Sequence, residues 1–206
     1  MTHPAAAGCA GPARPARAGG AVRWLAAHLV RGLVATALAA CAVLPVGGPP
    51  VETGIDGVAC VLDTAALPAG LAPRPELPVP PQAQGASGQG GICHGRVFEV
   101  REPLRVYRLW DAGLQNPLGH WWTLRVPDAS RDAYRQTYAI CRTWSALDRA
   151  IDCRLKPGAL VVIGPGQSAD CADQTYPKSP FNQIYVPPDP RDGSLPVEAC
   201  SVRPWP

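Results

Sequence analysis

Eight cysteines stand at positions 9, 41, 60, 93, 141, 153, 171 and 200 of a chain of 206 residues. The last six constrain the fold more than any hydrophobic pattern here does. If paired, they cross-link segments far apart in sequence and limit which of them can separate. A zinc reading has little to support it, because the chain has no C-x-x-C and no paired His spacing. Pairing depends on the compartment, since disulfides persist where the surroundings are oxidising.

The N-terminal segment addresses the compartment. Residues 24–46 are the most apolar stretch, interrupted by Arg31, and the clean run from Gly32 to Leu44 is closed by Pro45. That run is shorter than the ~20 residues a spanning helix needs. Arg14, Arg17, Arg23 and Arg31 come before Cys41, and no acid does. A basic stretch, a short apolar run and then small residues is the order of a secretory signal. Leu38-Ala39-Ala40-Cys41 resembles the lipobox of bacterial lipoproteins, whose cysteine is acylated and becomes the new N-terminus. The expectation is therefore a signal peptide over 1–41 with lipidation at Cys41. The protein would then sit in the bacterial cell envelope, in the periplasm anchored by lipid to a membrane such as the cell outer membrane, or be secreted. A plain signal peptide cut nearby is the alternative. With Cys9 and Cys41 set aside, Cys60, Cys93, Cys141, Cys153, Cys171 and Cys200 form an even set and read as three disulfides. Six cysteines allow fifteen pairings, and sequence does not choose among them.

The charge follows the same division. Of 19 Lys and Arg, four precede Cys41, so 15 remain against 16 acids, a balance of −1. The net +3 of the whole chain belongs to the leader, and no nucleic-acid partner is expected.

Residues 42–92 are rich in Pro, Gly, Ala and Gln and read as a tether, because such composition buries little. The exception is the short apolar run Gly57–Leu62 holding Cys60. A domain is expected over 93–200, with 201–206 as a tail. Arg96–Arg101, Leu104–Trp110, Trp121–Val126, Ala159–Gly164 and Gln183–Val186 read as strands. Ser130–Arg142 has helical spacing, with Ala133, Tyr134, Thr137, Tyr138 and Cys141 on one face. A second short helix is expected from Ser145, with Asp148 in a variant capping box. Lys156–Gly158 is a turn. Strands and helices come in blocks, which points to an α+β fold: a small mixed or antiparallel split sheet with one or two helices, stapled by disulfides.

Four pieces of this domain stand in a suggestive order. They are Val106-Tyr107-Arg108-Leu109-Trp110, Gly119-His120-Trp121-Trp122-Thr123, the run through Gly158 to Gly164, and Gln183-Ile184-Tyr185-Val186. Over roughly residues 93–187 this resembles the ADP-ribosyltransferase-like toxins, including the necrotising-toxin NAD glycohydrolases. The resemblance implies a split sheet clasping NAD as substrate, with no metal. Arg108 would hold the phosphates, with Tyr107 and Trp122 beside the cofactor; a guanidinium is always charged and donates in a fork that matches phosphate oxygens. Thr123 would support the cleft, His120 would hydrogen-bond the cofactor, and Gln183 would take the late catalytic position. A Gln there orients but carries no charge, which favours water as acceptor over a protein. The family also implies a protein target or an immunity partner. The competing expectation is a non-enzymatic envelope lipoprotein that binds or builds through exposed aromatics such as Trp110, Trp121 and Trp144. An enzyme should bring Arg108, Thr123 and Gln183 to one cleft.

Overall fold

A computed structural model describes residues 51–63, 65–128 and 130–206, so the leader and Cys41 lie outside the described residues. Among the described residues no helix is long and apolar enough to cross a membrane.

The described residues form strands β1 (Leu71–Pro73), β2 (Arg96–Val100), β3 (Leu104–Trp110) and β4 (Trp121–Thr123), then helix α1 (Arg131–Tyr138). Strands β5 (Arg149–Leu155), β6 (Leu160–Gly166), β7 (Ala169–Asp170), β8 (Thr175–Tyr176), β9 (Ser179–Tyr185) and β10 (Val197–Pro204) follow. Eight strands make one sheet in the order β1-β2-β6-β9-β4-β3-β5-β10, with every neighbouring pair antiparallel; β7 and β8 form a separate ribbon. The fold is α+β, and Cys60–Cys93, Cys141–Cys171 and Cys153–Cys200 staple it.

Alternation along the strands divides the core. On β3, Val106 and Trp110 enter a large cluster with Trp122, Leu155, Val161, Ile163 and Ile184. Leu109 joins a second cluster with Tyr134 and Tyr138 of α1, and with Leu147 and Trp205. Each fully buried Ile, Leu or Val in these clusters contributes on the order of 1.5–3 kcal/mol.

Helix α1 starts where its cap predicts. The Ser130 hydroxyl accepts from the Ala133 N–H, and Asp132 in the first turn suits the helix dipole. It ends at Tyr138 instead of Arg142, because Ala139 adopts a left-handed conformation at φ 51°. Arg135 donates to the carbonyls of Ile140, Cys141 and Ser145, and these bonds draw the chain off the helical path.

Three expectations are corrected. No second helix forms after Ser145. Its hydroxyl accepts from the Leu147 N–H, Leu147 is left-handed, and Asp148 accepts from the Ala112 N–H instead of capping. The chain then enters β5, a strand the sequence reading missed, paired along its whole length with β3. The stretch 51–92 is part of the fold: β1 pairs with β2, and Ala83 and Ile92 are fully buried. Composition misjudged it because a loop laid on a sheet needs few apolar residues of its own. The tail is also structured, since β10 pairs with β5 as far as Pro204 and Trp205 is buried.

Candidate functional site

Antiparallel pairing aligns all four sequence pieces. Tyr107 of β3 pairs with Thr123 of β4, Thr123 with Gln183 of β9, and Gln183 with Gly164 of β6. Residues well separated in sequence thus form one row across four strands. Strands β3 and β4 are joined only at Tyr107 and Thr123. Beyond that pair they part, and a cleft of about 420 Å³ opens there, lined by Arg108, Thr123 and Gln183 together. Its size falls in the range of small-molecule sites.

Arg108 occupies the gap between the parting strands. The residue is 9% exposed. One terminal nitrogen lies 3.4 Å from the Trp121 carbonyl and the other 3.5 Å from Gln115 Oε1, both long contacts. Its buried Nε has no hydrogen-bond partner, and no carboxylate pairs with it among the described residues. Burial pulls its pKa below the usual arginine value. Gly119 packs directly on the guanidinium, where a Cβ would overlap it, and the Trp122 indole N–H donates to the Gly119 carbonyl at 2.7 Å. The Tyr107-Arg108 and Gly119–Thr123 pieces are therefore two halves of one guanidinium cradle.

Gln183 is also buried. Its amide nitrogen donates to the Tyr138 carbonyl at 3.2 Å and, more weakly, to that of Gly91 at 3.5 Å. Those bonds orient the amide and leave its oxygen as a hydrogen-bond acceptor. Thr123 spends its hydroxyl proton on the backbone, near the carbonyls of Arg125 and Tyr107, so it supports the strand end. Tyr134 and Tyr138 line the cleft beside it. Burial raises both phenol pKa values, helped at Tyr134 by the nearby Tyr138, so both stay neutral.

The other wall comes from the segment read as tether. Gln82, Gln84, Gly85, Gln89, Gly90 and Gly91 line the cleft. Gly91 (φ 79°) and Gly90 (φ 71°) press against the Trp121 and Trp144 rings respectively. The chain reaches this position running antiparallel beside the end of β6, where any side chain at Gly164 would overlap the His94 carbonyl. Gln167, fully buried, donates to the Gly85 carbonyl and holds the loop. The concentration of Gly and Gln just before Cys93 was the available signal for this wall.

The remaining expected site residues lie elsewhere. His120 is exposed, faces the Val186 carbonyl at 3.0 Å and stacks on Tyr185, outside the cleft lining. Tyr107 shares the row but does not line the cleft. Trp122 lines it from within the core, at 1% exposure. Of the three aromatics offered as a binding face, Trp110 is buried, Trp121 is half-buried and only Trp144 is exposed. Sequence reading missed Gln115 and the glycine-rich wall, and it offered Trp144 as a surface aromatic and not as part of a cleft. Among the described residues, Arg108 is the sole charged residue lining the cleft, and no Asp, Glu, Lys, His or Cys lines it. Among the described residues no group of His, Cys, Asp or Glu is arranged to hold a metal. Comparison with protein-family models, with curated proteins and with solved structures returned no match.

Proposed function

We propose that this cleft binds NAD and hydrolyses the bond between nicotinamide and ribose, as in the NAD glycohydrolases the sequence resembles. The observation that carries this reading is Arg108: a buried guanidinium without a carboxylate, lining the same cleft as an oriented Gln183. A buried cation with its charge uncompensated calls for an anionic ligand, and a diphosphate supplies oxygens in the geometry of its fork.

Among the described residues no acid lines the cleft, and this suits one reaction better than others. Hydrolysis of ordinary O-glycosides takes two carboxylates, one to protonate the leaving oxygen. Acyl transfer takes a nucleophile and a base. Nicotinamide, already a cationic pyridinium in NAD, departs as a neutral base and needs no proton donor. The C1′–N bond breaks with its electron pair going to nitrogen, water oxygen bonds to C1′, and the surplus proton of water passes to solvent. The protein's share is positioning. Arg108 anchors the diphosphate, and the Gln183 oxygen accepts from a ribose hydroxyl and sets the sugar against its neighbours.

The reading extends to location: an exported protein anchored in the bacterial envelope through lipid on Cys41. The pairing of all six later cysteines supports an oxidising compartment.

The test is to incubate the protein, disulfides intact, with NAD and follow nicotinamide release. Arg108→Ala should raise KM, and Gln183→Ala should mainly lower kcat. A wild type that releases no nicotinamide, and whose melting temperature NAD does not shift, overturns the reading.

A further inference from the structure

We infer that Gln115 is a specificity-determining residue that keeps the Arg108 charge available to a phosphate-type anion; this rests on the reading of the cleft given above. Gln115 sits in the loop after β3 and lines the cleft. Its Oε1 is the hub of three donors: Arg108 at 3.5 Å, the Asp111 N–H at 3.2 Å and the Ser145 hydroxyl at 3.4 Å. Its Nε2 donates to the Trp144 carbonyl at 2.9 Å. One amide therefore ties the guanidinium to the strand end carrying Asp111 and to the wall carrying Ser145 and Trp144.

The neutrality of that amide matters as much as its bonds. A Glu has the same size and would supply the carboxylate that the guanidinium lacks. It would also cancel the charge that an incoming anion needs. Asp111, three residues along the chain from Arg108, is engaged elsewhere, with one oxygen on the Gly113 N–H and the other on the Ala146 N–H. Gln115 thus gives Arg108 an acceptor oxygen without a countercharge. Its fork stays open to the two oxygens of a phosphate or diphosphate.

The probe is inorganic pyrophosphate, titrated calorimetrically into the whole protein. Wild type should bind it. Gln115→Glu should lose affinity on the order of tenfold or more, because its carboxylate pairs with the guanidinium and cancels the charge the anion needs. Gln115→Met, which removes the hub without adding charge, should lose less than about threefold. If Gln115→Glu does not fold because its carboxylate meets the Trp144 carbonyl, Gln115→Asp withdraws that charge by one methylene and should show the same loss. Unchanged affinity in the carboxylate variants, or an equal loss in Gln115→Met, overturns the inference, as does a wild type that does not bind pyrophosphate. Pyrophosphate binding without nicotinamide release would defeat the glycohydrolase reading alone and leave this one standing.

Discussion

Arg108, Gln183 and Asp111 show how single residues divide the work of the cleft. Arg108 brings charge and little else, since its protein contacts are few and long. Gln183 brings direction, because two carbonyls hold its amide nitrogen. Gln183→Glu would set a carboxylate against those carbonyls in a buried position. Its folded pKa would rise, so the penalty should appear as pH climbs above the ordinary glutamate range of ~4.3 and fade on protonation. At neutral pH a loss of about 1–3 kcal/mol is expected in urea denaturation. Asp111 has the opposite sign. Hydrogen bonds from the N–H groups of Ala146 and then Gly113 hold its carboxyl below the usual range. Its contribution is complete above the ordinary value of ~3.9 and is lost as pH falls through the lowered one. Denaturation of Asp111→Asn and wild type across acid pH should therefore converge at the low end. A gap that stays constant would show that the charge is not what anchors the wall at Ala146.

The elements around the cleft are built by interruption. Strand β4 has three residues between seven-residue neighbours, and its single pairing with β3 leaves the space that Arg108 enters. Helix α1 stops early, so that residues 139–147 run back along the opening. The glycine-rich wall depends on backbone conformations that side chains resist. Gly91 has φ 79°, and a Cβ there would lie 3.3 Å from the Trp121 ring and 3.4 Å from the Gly85 nitrogen. Gly91→Ala should cost roughly 1–2 kcal/mol of stability from the left-handed backbone alone. It should also weaken NAD binding more than that stability loss accounts for, because the wall and Trp121 shift together. A melting curve and a binding titration on the same sample separate the two effects.

At the scale of the whole molecule the three disulfides have unequal tasks. Cys60–Cys93 fastens the segment from residue 51 to the start of the sheet. Cys153–Cys200 fastens β10 to β5, away from the cleft lining. Cys141–Cys171 lies beside Ala139 and Ile140, which line the cleft, and the Cys141 carbonyl accepts from Arg135. Replacing either of the latter pairs by alanines should cost about 2–5 kcal/mol. Of these two, only loss of Cys141–Cys171 should also weaken NAD binding, because Cys153–Cys200 holds no wall. Equal effects of the two pairs on affinity, after correction for the unfolded fraction, would contradict this division.

What the sequence by itself determined is the local part. Strand β2 follows from a β-prone run and β3 from the alternation of apolar and polar residues, the start of α1 from Ser130, the turn at Lys156–Gly158 from its proline and glycine, and the disulfide count from an even cysteine set. These depend on neighbours along the chain, so they can be read there. The convergence of Arg108, Thr123 and Gln183 on one cleft was expected only through a resemblance between short motifs; the structure reaches it independently by strand register. Tertiary structure alone decided the rest. It drew 51–92 and 201–206 into the fold, made a strand where a second helix was expected after Ser145, and chose one disulfide pairing. Each of these is settled by a partner far away in sequence: β2 for β1, β5 for β10, β3 for β5. A Gly- and Gln-rich segment carries no hydrophobic period to announce its place. It lies where the sheet surface, Gln167 and the Cys60–Cys93 bond put it, and there it forms the wall of the cleft.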